Sequence, residues 1–374
     1  MAELLTNTTD LIKVASAIRE KGGTSDPLVY PDGFVMAIQA IQTGTELKIV
    51  VSVTSGAAVT ATKGSNTVSG TSVNGVCTLI VPEAGTWSVK ATLSGQTSNT
   101  KSVTFTDSYD VTLAFVSPTL NDNDWAKIRE VSDKGDGANY WSIGDRKEIT
   151  LNGTVGHLTL SNYTTYAFII GFNHNADLEG SNRIHFQLAK TALSGGTDVA
   201  LCDGYYGSND SINGFEMNHN NGSWGGWKSS HMRTEICGTS LTSYSGTILA
   251  VIPAALRAAI KPVTKYTNNS GNNSSASAVT ATTDYFFPLS EYEVLGTSTN
   301  SNGYERDKQV QYSYYSAGNS KIKYNHGAIS TAIFYWTRSP SVNAEACFMV
   351  VMSNGASLNY KADISSGFAP GFCV

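Results

Sequence analysis

Apolar positions along this chain change their period. Leu11, Val14, Ala15 and Ile18 recur at helical spacing behind Thr8, Thr9 and Asp10, which offer an N-cap, and Gly22 and Gly23 end the pattern. A second helix is expected from Pro31, which suits a first helical turn, with Phe34, Ile38 and Ile41 as its stripe. Neither is long enough to persist alone in water, so both stripes need a partner surface. From Glu46 to about Ser117 the period becomes two. Leu47, Ile49, Val51 and Val53 alternate with polar neighbours, as do Val59 and Ala61, Cys77 to Val81, Trp87 to Ala91, Val103 and Phe105, and Val111 to Phe115. About six short strands with Gly, Asn and Ser turns predict a small antiparallel sandwich, into which Pro82–Trp87 delivers a large aromatic. No group of His, Cys or carboxylates suggests chemistry there.

The remainder, 118–374, mixes both periods. Asp122–Val131 reads as a helix capped by Asn121 or Asp122, with Trp125, Ile128 and Val131 on one face. Strands are expected from Tyr140 through Ile149 and Leu151, over His157–Leu160, and over Tyr166–Phe172. Ile248–Ile260 reads as a helix with Pro253 best placed in its first turn. Asn268–Ser277 is polar and too poor in apolar groups to pack, so it reads as a mobile loop. Tyr285–Gly296 reads as a buried strand. Near the end, Cys347–Val351 reads as a strand with Phe348 and Val350 on one face and Cys347, Met349 and Val351 on the other; Gly355 turns the chain and Ala356–Ala362 returns beside it.

Composition sharpens this picture. Among 374 residues, 41% are apolar and only 15% charged, so the exterior has to be built from Ser, Thr, Asn, Gly and Tyr. A formal net charge of −5 supplies no field to attract a phosphate backbone, and nucleic acid is not expected as a partner. Met1–Asp10 lacks the basic and apolar regions of a signal peptide, and no apolar run approaches the roughly 18 residues that span a bilayer, so no membrane insertion is expected. The 5 cysteines, Cys77, Cys202, Cys237, Cys347 and Cys373, lie far apart with no C-x-x-C. They read as small buried hydrophobes in a chain made in a reducing cytoplasm, with a Cys202–Cys237 bridge as the alternative.

The word order of the last forty or so residues is distinctive: Tyr335-Trp336-Thr337-Arg338-Ser339-Pro340, then Phe348 to Gly355, then Ser366-Gly367-Phe368-Ala369-Pro370-Gly371-Phe372-Cys373. With Trp141-Ser142-Ile143-Gly144-Asp145 and Phe287-Pro288-Leu289-Ser290 it resembles the C-type-lectin-like domains, related to formylglycine-generating enzymes, at the ends of phage tail proteins. The stretches Ile18–Thr24 and Pro31–Phe34 resemble N-terminal attachment segments of tail proteins from phages of Gram-positive gut bacteria, and 45–117 resembles immunoglobulin-like spacer modules. The resemblance implies an α+β and all-β multidomain chain: a helical attachment segment over 1–44, an immunoglobulin-like sandwich over 45–117, and a C-type-lectin-like ligand-binding domain over 118–374.

In relatives diversified by retroelements, variation is confined to the terminal segment, here about 333–374. By that analogy the variable face comprises Tyr335, Thr337, Ser341, Val342, Asn343, Ala344, Glu345, Met349, Val351, Ser353, Leu358, Asn359, Tyr360, Lys361, Asp363 and Ile364. Tyr335 and Tyr360 would give contact area at low entropic cost, with Asn343, Asn359 and Lys361 as polar contacts. Trp336, Arg338, Pro340, Phe348 and Phe372 would belong to the frame, Arg338 as a structural ion pair. The implied partners are a bacterial cell-surface protein or glycan and a phage tail or baseplate protein, with the chain as a homo-oligomer, a trimer by analogy. The implied location is the virion, after assembly in the bacterial cytoplasm.

Other groups carry weaker signals. Gln311–Tyr315 and Tyr324–His326 are aromatic with polar tips and suit either an interface or a core cover. Trp224 and Trp227 suit either sugar stacking or a packed loop. The 6 histidines, His157, His174, His185, His219, His231 and His326, have no H-E-x-x-H spacing. Asn173–Asp177, and Asp203 with Asp210, offer oxygens of the kind calcium takes but form no EF-hand loop; a structural calcium stays open and no cofactor is expected. Formylglycine-generating chemistry needs reactive cysteines. Nothing near Cys347 or Cys373 would lower a thiol pKa, so no enzyme is expected.

Overall fold

The N-terminal helices form where the spacing predicts them, over Thr8–Gly22 and Asp32–Ala40. Ala15 and Ile18 bury against Phe34, with Leu11, Leu28 and Ala37 packed around them. Val14 and Ile38 face outward instead, so the shared stripe is narrower than the sequence suggests. The computed structural model describes residues 8–22, 28–29, 31–40, 46–106, 108–113, 115–209, 212 and 214–374; Gly23, Thr24, Tyr30, Ile41 and Asp210 lie outside the described residues. The protein is mixed α+β, with mostly open sheets and few, short helices. It divides into two units, Met1–Phe115 and Val116–Val374. No helix among the described residues is long and apolar enough to cross a membrane.

Period-two alternation in the first unit gives two sheets around one core. One holds Lys48–Ser52 between Val76–Ile80 and Tyr109–Thr112; the other is built on Ala58–Lys63 and Gly85–Leu93. Their inward residues, Ile49, Val51, Val59, Leu79, Trp87, Val89 and Val111 among them, bury together. Trp87 is fully enclosed, and its indole N–H donates to the Glu83 carbonyl at 3.1 Å, so the turn that delivers the ring also satisfies it. The arrangement is not wholly antiparallel: Lys48–Ser52 and Tyr109–Thr112 run parallel. Asn66–Thr71 adds an edge strand too polar to be read from periodicity.

The second unit is organised on a five-stranded antiparallel sheet in the spatial order Phe286–Pro288, Pro370–Cys373, Ile184–Lys190, Leu158–Phe172, Arg146–Val155. The strands expected at His157–Leu160 and Tyr166–Phe172 are one long strand with a register shift near Asn162, which lies at φ 49°. The last strand in chain order lies inside this sheet, between Ile184–Lys190 and Phe286–Pro288. Phe372 stacks on Phe186 at 5.3 Å and meets Phe286 and Trp125.

Several expectations shift for local reasons. Asp124, not Asn121 or Asp122, caps the helix Trp125–Asp133, its carboxylate accepting the Lys127 N–H at 2.6 Å, because Leu120–Asp122 is spent on a separate 3-10 turn. The helix expected over 248–260 divides into Ile248–Val251 and Ala254–Ala259, since the residue before Pro253 is driven to extended backbone. Tyr285–Gly296 is not one strand. After Phe286–Pro288, Ser290 and Glu293 form a reciprocal capping box that starts the helix Glu291–Leu295, and Gly296 at φ 72° ends it.

Asn268–Ser277 is not a loose loop either. Fully buried Asn268 donates to the Gly271 and Asn273 carbonyls, and the Asn302 amide donates to the Asn273 and Ser275 carbonyls. Its packing comes from side-chain amides rather than apolar groups.

Candidate functional site: the terminal sheet and its surroundings

Tyr335–Pro340, Cys347–Val351 and Ser357–Lys361 form a three-stranded sheet with Cys347–Val351 in the middle. Every residue of the first two strands is buried, so the alternation at Cys347–Val351 sends side chains to two covered faces, not to one core and one surface. Trp336 donates its indole N–H to the Phe215 carbonyl at 2.7 Å. The Arg338 guanidinium reaches Glu293 with both terminal nitrogens (2.5 and 2.8 Å), Thr267 Oγ1 at 2.8 Å and the Pro288 carbonyl at 3.2 Å. Thus Arg338 is an interior ion pair, and Trp336, Pro340, Phe348 and Phe372 are interior too.

This pair belongs to a larger network. Lys265 Nζ donates to Glu179 at 2.6 Å, to Glu293 at 3.0 Å and to the Tyr312 hydroxyl at 2.9 Å, all of them buried. Burial pushes the Glu293 carboxyl up, but Arg338 and Lys265 outweigh it and hold it below the ordinary range. His174, Glu179 and Glu293 converge as metal ligands would, yet the Lys265 ammonium already bonds to both carboxylates and so takes the place of a cation there. Nearby, burial pushes Glu305 up to about 7 despite hydrogen bonds from the Asn268 N–H and the Ser339 hydroxyl.

The residues expected to form a variable face do not share one surface. Tyr335, Thr337, Ser341, Met349 and Val351 are interior. The Tyr335 hydroxyl donates to the Lys321 carbonyl and the Thr337 hydroxyl to the Met349 carbonyl, while Ser341 Oγ accepts the Asn343 and Ala344 N–H groups to build the turn. These side chains are used by the fold and are not available to a partner. Asn343, Glu345, Ser353, Leu358 and Lys361 are exposed; Val342, Ala344, Asn359, Tyr360, Asp363 and Ile364 are half-buried. Along the edge strand the register puts Leu358 and Tyr360 on the face of Val350 and Phe348, and Asn359 and Lys361 on that of Met349 and Cys347.

The structure brings some of these together with residues from earlier in the chain. The 215–223 segment runs beside the terminal segment through Ser366 N–H to the Phe215 carbonyl, Asn218 N–H to the Ala362 carbonyl and Ser223 N–H to the Glu345 carbonyl. Trp224, 61% exposed, donates its indole N–H to the Glu345 carboxylate at 2.9 Å. Trp227, the other indole of that stretch, is enclosed and bound to Asp284. Tyr360 packs on Phe334 and Trp336, and the Phe334 N–H donates to the hydroxyl of half-exposed Tyr206. Trp224 beside Glu345, and Tyr206 beside Phe334 and Tyr360, therefore extend the exposed part of the terminal segment. Tyr206 had no periodic signal to mark it. Tyr312, Tyr314 and Tyr315 instead cover the core, bound to Lys265, Lys190 and Gln187.

The candidate calcium oxygens serve the fold as well. Asp203 accepts the Tyr205 and Phe215 N–H groups and the Ser365 hydroxyl, and Asn173 Oδ1 accepts the Arg183 N–H. All five cysteines are free and buried, so Cys202 and Cys237 are not bridged. Burial pushes the thiols of Cys202 and Cys373 up to about 12, and that of Cys347 up as well, the opposite of a reactive cysteine.

One polar cluster went unread in the sequence. Glu216, His219 and His231 converge, with Glu235 3.9 Å from His219 and 3.6 Å from His231; Glu216 is fully buried and His231 nearly so. Burial keeps the His231 imidazole below its ordinary pKa, hence neutral at pH 7. The available signal was E-x-x-H followed by H-x-x-x-E, split by a loop that hides their convergence.

A family described as a domain of unknown function (DUF6273) matches residues 211–374. No curated protein matches the chain, and no solved structure does. The matched stretch contains the histidine cluster, the capped helix and the terminal sheet. The Ile184–Lys190 strand that pairs with Pro370–Cys373 precedes it, so the folded unit extends upstream of the match.

Proposed function

We propose that this chain is a phage tail receptor-binding protein whose C-terminal domain, on a C-type-lectin-like scaffold, presents a ligand face to a bacterial surface protein or glycan. The observation that carries this reading is the contrast within one short segment. Trp336, Arg338 and Phe348 are locked inside by hydrogen bonds, an ion pair and burial, while Asn343, Glu345, Leu358 and Lys361 stand exposed, with Trp224 bonded to Glu345. A rigid frame lowers the ordering cost of binding, and an exposed indole beside polar groups suits a sugar ring or a protein loop. The face is narrower than the sequence implies, since Tyr335, Thr337, Ser341, Met349 and Val351 are excluded from it. The N-terminal helices would attach to the tail, the two-sheet core of the first unit would act as an immunoglobulin-like spacer, and trimeric display would multiply modest contacts.

The test is staining of a panel of Gram-positive gut bacteria with fluorescent full-length protein. Staining of a subset of strains is expected, reduced at least tenfold by Trp224→Ala with Leu358→Ala and Lys361→Ala, while the melting temperature stays put. Unchanged staining by that triple variant would overturn the assignment of the face. A reverse transcriptase gene and a near-copy of the terminal coding segment beside the gene are the expected companions of diversification.

A further inference from the structure

The histidine cluster has geometry that the binding reading does not use. His219 Nδ1 lies 2.9 Å from Glu216 Oε1, so this nitrogen carries the proton and donates to the carboxylate. His231 Nε2 lies 3.2 Å from the Gly214 carbonyl and 3.6 Å from Glu216 Oε1, both acceptors, so it too is the protonated nitrogen. The remaining nitrogens, His219 Nε2 and His231 Nδ1, are left with lone pairs. Both face Glu235: His219 Nε2 is 3.9 Å from Oε1 and His231 Nδ1 is 3.6 Å from Oε2.

His231 is only 5% exposed and its Nδ1 has no hydrogen-bond partner. A buried lone pair aimed at a carboxylate oxygen is unfavourable unless a cation lies between them. Two ligand atoms on a tetrahedral ion with bonds of about 2.1 Å are roughly 3.4 Å apart, and each nitrogen stands near that distance from its own Glu235 oxygen, at 3.9 and 3.6 Å. The two rings lie against each other with centroids 4.0 Å apart at 45°.

We propose that His219 Nε2, His231 Nδ1 and the Glu235 carboxylate bind a divalent transition-metal ion of the zinc class, with Glu216 and the Gly214 carbonyl orienting the two imidazoles. Imidazole nitrogens with one carboxylate suit zinc over calcium or magnesium, which take oxygen ligands. Hydrogen bonds from the far side of a ligating histidine are the usual support of such a site. His231 and Glu235 stand at i and i+4 across the π-helical turn Met232–Cys237, which places both on one side of it. Three protein ligands leave a fourth position open. It faces a hollow of about 250 Å³ that Trp224 also lines, so a ligand oxygen could complete the coordination beside the exposed indole.

The experiment uses untagged full-length protein stripped with EDTA, titrated with zinc against a chromophoric chelator, and measured for bound metal after gel filtration. About one zinc per chain is expected, with a rise in melting temperature on binding. His219→Ala and Glu235→Gln, both at least partly exposed positions, should lower affinity at least tenfold and abolish the thermal shift; Glu216→Gln should weaken binding 10- to 100-fold, about the usual cost of losing an orienting partner. His157→Ala, an exposed histidine outside the cluster, should bind as wild type. Absence of zinc binding by the wild-type chain overturns the proposal. So does wild-type affinity in both His219→Ala and Glu235→Gln, or loss of binding in Glu216→Gln alone.

Discussion

Arg338→Met tests whether the interior ion network fixes the terminal sheet. Methionine replaces most of the alkyl volume but leaves Glu179 and Glu293 with Lys265 as their one remaining cation in the network. Breaking a buried pair from one side costs about 3–5 kcal/mol. A second route gives a similar figure. One carboxyl can take up a proton, which at pH 7 against an ordinary value of 4.5 costs about 3 kcal/mol. The Pro288 carbonyl and Thr267 hydroxyl each lose a partner, adding about 1 kcal/mol. A loss of about 4 kcal/mol in a domain of this size lowers the melting temperature by roughly 8–16 °C.

Urea denaturation and calorimetry read both quantities, and pH separates the cause from simple loss of packing. In the wild type the Glu293 pKa is depressed, so its contribution is complete above the unfolded value of 4.5 and lost as pH falls below it. In the variant a buried carboxyl binds a proton more readily than in the unfolded chain, so the deficit should shrink by about 1.4 kcal/mol per unit as pH falls from 7 toward 4.5. The double variant Glu293→Gln with Arg338→Met should recover part of the loss. A deficit below about 1 kcal/mol at pH 7, or one that is equal at pH 7 and pH 5, refutes the reasoning.

Glu305 carries the opposite sign. Its pKa is raised to about 7, so the native state holds more protons than the unfolded one between about 4.5 and 7, and stability falls as pH rises through that window; Glu305→Gln should flatten the slope, read from urea midpoints at successive pH values. Gly226→Ala should cost roughly 3 kcal/mol, because the residue sits at φ 54° and an added Cβ would lie 2.1 Å from the Asn268 carbonyl oxygen; wild-type stability in a melting assay would contradict this. Trp224→Ala alone should leave stability within about 0.5 kcal/mol while weakening cell staining, and Trp227→Ala should fail to give soluble protein because its indole is enclosed and bound to Asp284.

Legibility in the sequence followed burial. Where one face met a core and the other met water, as at Ile49–Val53 or Trp87–Ala91, period two placed both strand and facing correctly. At Cys347–Val351 both faces are covered, so alternation cannot distinguish inside from outside, and only the family resemblance put Met349 and Val351 on the variable face. Lys265, Glu293 and Arg338 are polar by type and interior by position, a placement set by pairing across elements far apart in the chain. The capping box at Ser290 and Glu293 was readable locally, but the apolar run before it suggested a strand. Asn268–Ser277 is held by amides, and composition carries no sign of whom an amide will meet. For the candidate face, the frame residues were legible as bulky and shape-defining, whereas Trp224 and Tyr206 reach it only through tertiary packing.

Because Pro370–Cys373 pairs on both sides, with Ile184–Lys190 and with Phe286–Pro288, a nascent chain lacking it has a gap in the middle of its main sheet. Any premature stop codon or frameshift arising upstream therefore leaves the facing edges of Ile184–Lys190 and Phe286–Pro288 without their shared partner.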